Sequence, residues 1–241
     1  MGLTNRSSRA AVPGAVISAT ADEQLAFYKR TYTHLAGAIL LFVGVSYLIV
    51  TSSLGGQITD FALASQFNWA IFLVAFMAVG WLADKWAQSD TSQGLQYLVL
   101  ALYVVAEALI FTPLLTIAAY YLHQPEAISM AAVITLFLFT GLTGTVFLMK
   151  KDFSFMKGAL AIGSFAAMGL IVAGMIFGFH LGLVFSGFMV VLSGGYILYY
   201  TSQVRLYYRP HQHVAAALAL FSAVALMFYY VLMIILKMTN R

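Results

Sequence analysis

Seven apolar stretches dominate the chain, each close to the ~20 residues needed to cross a hydrocarbon layer about 30 Å thick. They run over Tyr32–Thr51, Asn68–Trp86, Gln96–Tyr121, Ala127–Met149, Lys157–Phe177, Leu183–Tyr200 and Val214–Leu236. In lipid only helices and closed barrels satisfy every backbone polar group. These runs are too long and too evenly apolar for barrel strands of about 10 alternating residues. The sequence therefore predicts an all-α, polytopic membrane protein, a seven-transmembrane-helix bundle with short connections and antiparallel neighbours. Composition agrees: 62% of the residues are hydrophobic and 8% charged, against about 45–50% and about 25% in soluble domains. Residues 32–241 are read as the transmembrane domain and 1–31 as a cytoplasmic tail. In that tail Asp22-Glu23 caps a short interfacial helix through Leu25, Tyr28 and Lys29-Arg30. The tail is not read as a cleaved signal, because the first apolar run is too long and six more follow.

Placement of charge matters more than its sum. Twelve Lys+Arg against eight Asp+Glu leave +4, too little and too dispersed to argue for nucleic-acid binding. Arg6, Arg9, Lys29, Arg30, Lys85, Lys150, Lys151, Lys157, Arg205 and Arg209 all fall on one side of the predicted spans. The opposite connections, 52–67, 122–126 and 178–182, carry no Lys or Arg; only Lys237 and Arg241 lie beyond the last span. The positive-inside rule then puts the N-terminus in the cytoplasm and, after seven crossings, the C-terminus outside. A re-entrant seventh span would put all twelve inside, and the count alone allows either. Trp86 and the Tyr199-Tyr200 and Tyr207-Tyr208 pairs fall at the inner interface, Trp69 and Tyr120-Tyr121 at the outer one, as ordinary anchors. With no cysteine, disulfides, thiol catalysis and thiolate metal sites are excluded.

Glu107 is the acidic residue deep inside a span, eleven positions after Gln96 and fourteen before Tyr121. Ionised at mid-depth it costs at least ~2.5–3.5 kcal/mol. It is expected to rest uncharged and to ionise when water or a cation reaches it, in a cavity of the bundle. The plainer alternative is a neutral acid hydrogen-bonded to a neighbouring helix. Pro113, six residues on, lacks the N–H that would bond the Leu109 carbonyl and favours a kink. Thr112 and Thr116 are the candidates to satisfy the freed groups. Gly174, Gly178 and Gly182, like Gly194-Gly195, read as close helix packing. His34, His180, His211 and His213 form no spaced pair deep in a helix, so no metal site and no cofactor is expected. His211 and His213 could respond to pH at the inner face. No lysine precedes Lys237 in the last span, which argues against a retinal Schiff base. No phosphate loop, nucleophile elbow or zinc-protease motif occurs, and no enzymatic activity is expected.

Gly144-Thr145-Val146-Phe147-Leu148-Met149-Lys150-Lys151-Asp152-Phe153-Ser154 resembles the Bax-inhibitor (transmembrane Bax inhibitor motif) family. The likeness lies in a glycine-rich span that ends in a basic pair, then Asp, an apolar residue and Ser. Leu102-Tyr103, Tyr199–Gln203, Leu220-Phe221 and Met227-Phe228 add weaker matches. The resemblance implies a seven-span, calcium-permeable and pH-sensitive leak, gated in bacterial members by two aspartates. Here Tyr200 (or Thr201, with a one-residue slip) and Ala223 stand at those positions, so a paired-carboxylate latch is not carried over. Thr201-Ser202 looks more like the bacterial branch resembling the FtsH protease modulator, which implies contact with a membrane protease in a bacterial inner membrane. Two expectations follow: a calcium or proton leak or sensor with Glu107 as titrating group, or a non-conducting partner of a membrane protease. In both, the lipid bilayer is the surrounding partner.

Overall fold

The computed structural model describes residues 14–87 and 93–239. Arg6, Arg9 and Arg241, and the side chains of Lys85 and Trp86, lie outside the described residues. The described chain is all helical, with eight α-helices: α1 Ala21–Thr51, α2 Ser53–Leu63, α3 Gln66–Ala87, α4 Gln93–Thr116, α5 Pro125–Met149, α6 Lys157–Phe177, α7 Leu183–Leu206 and α8 His213–Thr239. A π-helical turn, Ile117–Tyr121, prolongs α4. Among the described residues six helices are long and apolar enough to cross a membrane: α1, α4 with its π turn, α5, α6, α7 and α8. α3 covers the second predicted span as a helix of 22 residues. α8 is one unbroken helix of 27 residues, about 40 Å at 1.5 Å per residue, with no internal reversal of the kind a re-entrant segment needs.

Local chemistry explains where these helices begin and end. Thr20 caps α1: its hydroxyl accepts the Glu23 amide, and the Glu23 carboxylate accepts the Thr20 amide at 2.9 Å. This reciprocal box satisfies two donors left open at a helix start. The cap is thus Thr20 with Glu23 rather than Asp22-Glu23. Lys29 and Arg30 lie within α1, which runs unbroken into the apolar stretch. The expected loop over 52–67 contains a helix of its own, α2, started by Ser52, whose hydroxyl accepts the Leu54 amide. Gly178 ends α6 in the left-handed conformation (φ 72°), and Gly182 precedes α7. Of the three spaced glycines only Gly174 is helical, where the Phe179 carbonyl comes close, while Gly178 and Gly182 bound the turn between α6 and α7 rather than line a helix contact. Gly195 does mark a close approach: a Cβ there would lie 2.8 Å from Leu160 Cδ2.

α4 and α8 form the centre. In each, 61% of the most apolar window is buried, against 11% in α5 and α6 at the periphery. α1 buries one stripe, Phe27, Thr31, Leu35, Ala38, Phe42 and Ser46, the 3–4 spacing of a single helix face. Lipid is as apolar as leucine, so close van der Waals packing holds such helices together. α8 meets the need with buried Ala215, Ala216, Ala217, Ala219, Ala223 and Ala225. Aromatic rings fill the middle: Phe42 meets Phe111 edge-on at 5.1 Å, and Phe111 stacks on Phe228 at 6.0 Å.

Cross-links gather the basic connections at one end of the bundle. The Tyr28 hydroxyl donates to the Arg205 carbonyl, Arg205 donates to the Lys151 carbonyl, and the Val16 amide bonds the Tyr208 carbonyl. At the other end the Lys237 ammonium donates to the carbonyls of Leu181 and Gly182 and to Ser186 Oγ. The Tyr121 hydroxyl reaches Asp60 there.

Candidate functional site

Glu107 sits halfway along α4 and is 2% exposed. It does not face lipid. The Tyr103 hydroxyl, one turn earlier on the same helix, donates to its Oε1 at 2.7 Å, while Oε2 is buried without a hydrogen-bond partner. A carboxyl so placed is half satisfied, and an unmet buried polar atom costs about 1–3 kcal/mol. That cost is tolerable where something else supplies the missing donor at some stage.

Glu107 lines a cavity of about 410 Å³, with walls drawn from α3, α4, α6, α7 and α8. Along α4 the lining starts at Glu107; along α8 it runs from Leu226 to Lys237, the residue that closes the end opposite the basic one. The rest is almost wholly apolar and aromatic, including Phe111, Tyr229 and Tyr230. Toward the basic end Tyr103 packs edge-on against Phe221, and Phe221 against Phe42. The cavity therefore meets the carboxyl from one end, and an aromatic cluster stands on the other side.

Pro113 lies inside α4, as expected. The two threonines do not satisfy the freed carbonyl of Leu109. Thr112 donates instead to the Ala108 carbonyl at 2.8 Å, the ordinary bond back one turn. Thr116 Oγ1 is buried without a partner. The irregularity passes into the π turn that follows directly, a common accompaniment of functional positions in helices.

Thr201 and Ala223, where the family resemblance implies an acidic pair, are buried, and Thr201 faces Tyr32 of α1. Tyr200 stacks on Tyr196 at 5.6 Å. The carboxylate at the end of α7 comes instead from Asp152 in the α5–α6 connection. It accepts the Tyr207 hydroxyl at 2.7 Å, the Ser154 amide at 2.8 Å and the Ser202 hydroxyl at 3.3 Å. Partial burial pushes this carboxyl up, but the bonds from Tyr207, Ser154 and Ser202 outweigh that and hold it below its ordinary value. Ser202 also accepts the Phe153 amide. The basic-pair motif is thus a clasp: Lys150 ends α5 in the left-handed conformation (φ 52°), and the next residues fasten the turn to α7.

Histidines that look isolated in sequence meet in space. His34 of α1 stacks on Tyr97 of α4 at 5.1 Å and lies 5.1 Å from His213 of α8. Tyr97 Oη is 3.1 Å from His213 Nε2. No group of three His, Cys, Asp or Glu that could hold a metal ion occurs among the described residues.

Long apolar helices packed round a deep, half-satisfied carboxyl define a multi-pass helical membrane protein. The sequence pattern of the family described as "Inhibitor of apoptosis-promoting Bax1" matches residues 24–241, and the chain belongs to that Bax-inhibitor family. It is 26% identical over 226 residues to Bax inhibitor 1 of Schizosaccharomyces pombe, a match covering 90% of this chain and 79% of the yeast protein.

Proposed function

We propose that this Bax-inhibitor family protein crosses the membrane seven times and acts as a pH-sensitive leak or sensor, with Glu107 taking up and returning a proton. The observation that carries the reading is the buried Oε2 without a partner on a carboxyl that lines a one-sided cavity. A proton needs one carboxyl. Calcium takes about 6–8 oxygen ligands, and the hydroxyl of Tyr103 is the polar group bonded to Glu107. Donor chemistry thus favours the proton over calcium as the occupant of this carboxyl. Entry is from the Lys237 end; passage onward requires Tyr103 to release Oε1 and the Phe42–Phe221 contact to part. The setting we propose is a bacterial inner membrane, with the basic end in the cytoplasm.

The test is proton and calcium flux into proteoliposomes across a pH series, for the wild type and Glu107→Gln. The amide keeps the shape and the bond from Tyr103 but cannot ionise. Proton flux should fall at least about tenfold, the loss of roughly 1.4 kcal/mol of barrier lowering, and lose its dependence on pH. Equal flux in both proteins removes Glu107 from the mechanism.

The missing carboxyls at Tyr200, Thr201 and Ala223 favour a second reading, a non-conducting regulatory partner of a membrane protease. The segment an unfoldase would grip ends before Ala15 and Val16, which are packed into the bundle. Removing residues 1–13 should then change the turnover of protease substrates in cells; unchanged turnover with no co-purifying protease defeats this reading.

A further inference from the structure

We infer that the cavity beside Glu107 is a binding site for a membrane-borne amphiphile with a single protonated amine and an apolar tail. The inference deepens the reading above, since it anchors on the same carboxyl, but binding is measured without flux and the two can fail separately. Glu107 Oε2 lacks a donor, and the terminal torsion of a glutamate is soft and roughly two-fold, so the oxygen can turn to meet a donor that arrives from the cavity. An ammonium offers three N–H groups and the compensating charge. A hydroxyl offers one and leaves the charge unpaired in an apolar surrounding, where that is costly. The rings of Phe111 and Tyr229 line the same cavity and keep its wall apolar and aromatic.

The other charged residue on the wall, Lys237, does not recruit an anion in the same way. Its donors are engaged by the Leu181 and Gly182 carbonyls and Ser186 Oγ. An acid bound with its head there would also lay its tail over Glu107 and leave Oε2 unmet. Size and shape fit an alkyl tail. The cavity holds about 410 Å³, within the roughly 300–1,000 Å³ usual for small-molecule sites. The eleven helical steps from Leu226 to Lys237 give it a length of about 16 Å at 1.5 Å per residue. An extended amine of about a dozen carbons, whose zigzag bonds of about 1.5 Å advance roughly 1.25 Å each, reaches about 15 Å, close to that length. α6, which buries only Leu160 and Ala167, is the lightly held wall through which such a molecule enters from the bilayer.

The experiment uses the full chain in lipid nanodiscs with Trp81→Phe and Trp86→Phe, leaving Trp69, which lines the cavity, as reporter. Dodecylamine brominated at its tail is titrated in, and quenching of Trp69 is followed beside matched dodecanoic acid and dodecanol. Saturable quenching by the amine is expected, with a midpoint at least about tenfold higher for the acid and the alcohol and for the Glu107→Gln protein, where tenfold is about 1.4 kcal/mol. Ala167→Phe, which fills the cavity and leaves the carboxyl in place, should abolish saturable quenching even if the glutamine variant fails to fold. Quenching that only rises in proportion to the lipid-bound amine overturns the inference. So does an unchanged midpoint in Glu107→Gln, saturable quenching that persists in Ala167→Phe, or equal saturation by the acid. Binding without any effect of Glu107→Gln on flux sinks the leak and keeps the site; the reverse result does the opposite.

Discussion

Asp152 and Glu107 each accept a tyrosine hydroxyl at 2.7 Å, yet they are opposite cases. Asp152 adds two further donors and stays partly open to water, so its ionised form is favoured. Linkage then fixes the sign. A carboxyl held below its ordinary value in the folded state stabilises fully above the unfolded value, and loses that contribution as pH falls through the lowered one. Asp152→Asn removes the charge from these bonds, at a cost of about 1 kcal/mol once solvent screening is allowed for. For a chain of this size that is about 2–4 °C in Tm. The gap should be present at pH 7 and should shrink when both proteins are melted near about pH 3; a gap that widens in acid disproves the clasp. Glu107 was legible in sequence because a solitary acid in an apolar run is informative by itself, and Tyr103 lies within one helical turn of it. The clasp was not legible. Its partners are 50 and 55 residues away, and no periodicity connects a loop aspartate with the end of a helix two elements later. The same holds for His34, Tyr97 and His213, which three different helices bring together.

At the scale of elements, long apolar runs announced themselves and short amphipathic pieces did not. The helix interiors fall where the hydropathy put them, because lipid leaves the backbone no alternative. α2 escaped because its eleven residues, with two glycines and Thr59 and Asp60, read as a loop by composition. The π turn after Thr116 depends on how α4 meets its neighbours, which no local pattern encodes. α2 nevertheless has a strict steric requirement at the corner it forms with α1. A Cβ on Gly55 would lie 2.9 Å from the carbonyl oxygens of both Ile49 and Val50 and 3.0 Å from Val50 Cα. These are backbone atoms and cannot swing aside. Ala gains about 1 kcal/mol over Gly in helix propensity, but the clash is expected to exceed it, giving Gly55→Ala a net loss of about 1–3 kcal/mol. Gly56→Ala is the control, since nothing lies within 4 Å of its Cβ, and it should be neutral or slightly stabilising. Thermal melts of the two variants in one detergent decide the matter; equal Tm values would refute the close corner.

Over the whole molecule, the number of membrane crossings fixes whether the two ends of the chain share a face. α1 starts at the basic end, where the Tyr28 hydroxyl reaches the Arg205 carbonyl, and α2 follows at the other end, where Asp60 meets Tyr121. α4 sets out from the basic side again, since Tyr97 near its start stacks on His34 in the first half of α1. α3 is the segment between α2 and α4, packed on both α4 and α8. If α3 crosses with the six other long helices, the ends of the chain lie on opposite faces; if it does not, they lie on the same face. In the proposed orientation the basic end faces the cytoplasm, the side on which Lys and Arg in short connections accumulate. A reporter active only in the cytoplasm should therefore work when fused at the N-terminus, ahead of α1, and fail when fused after Thr239. One active only outside should do the reverse. Two cytoplasmic signals would mean six crossings, and two inverted signals would mean that the basic end faces out. In either case the Lys237 end would no longer be the outer entrance to Glu107, and the direction proposed for proton entry would have to be reversed.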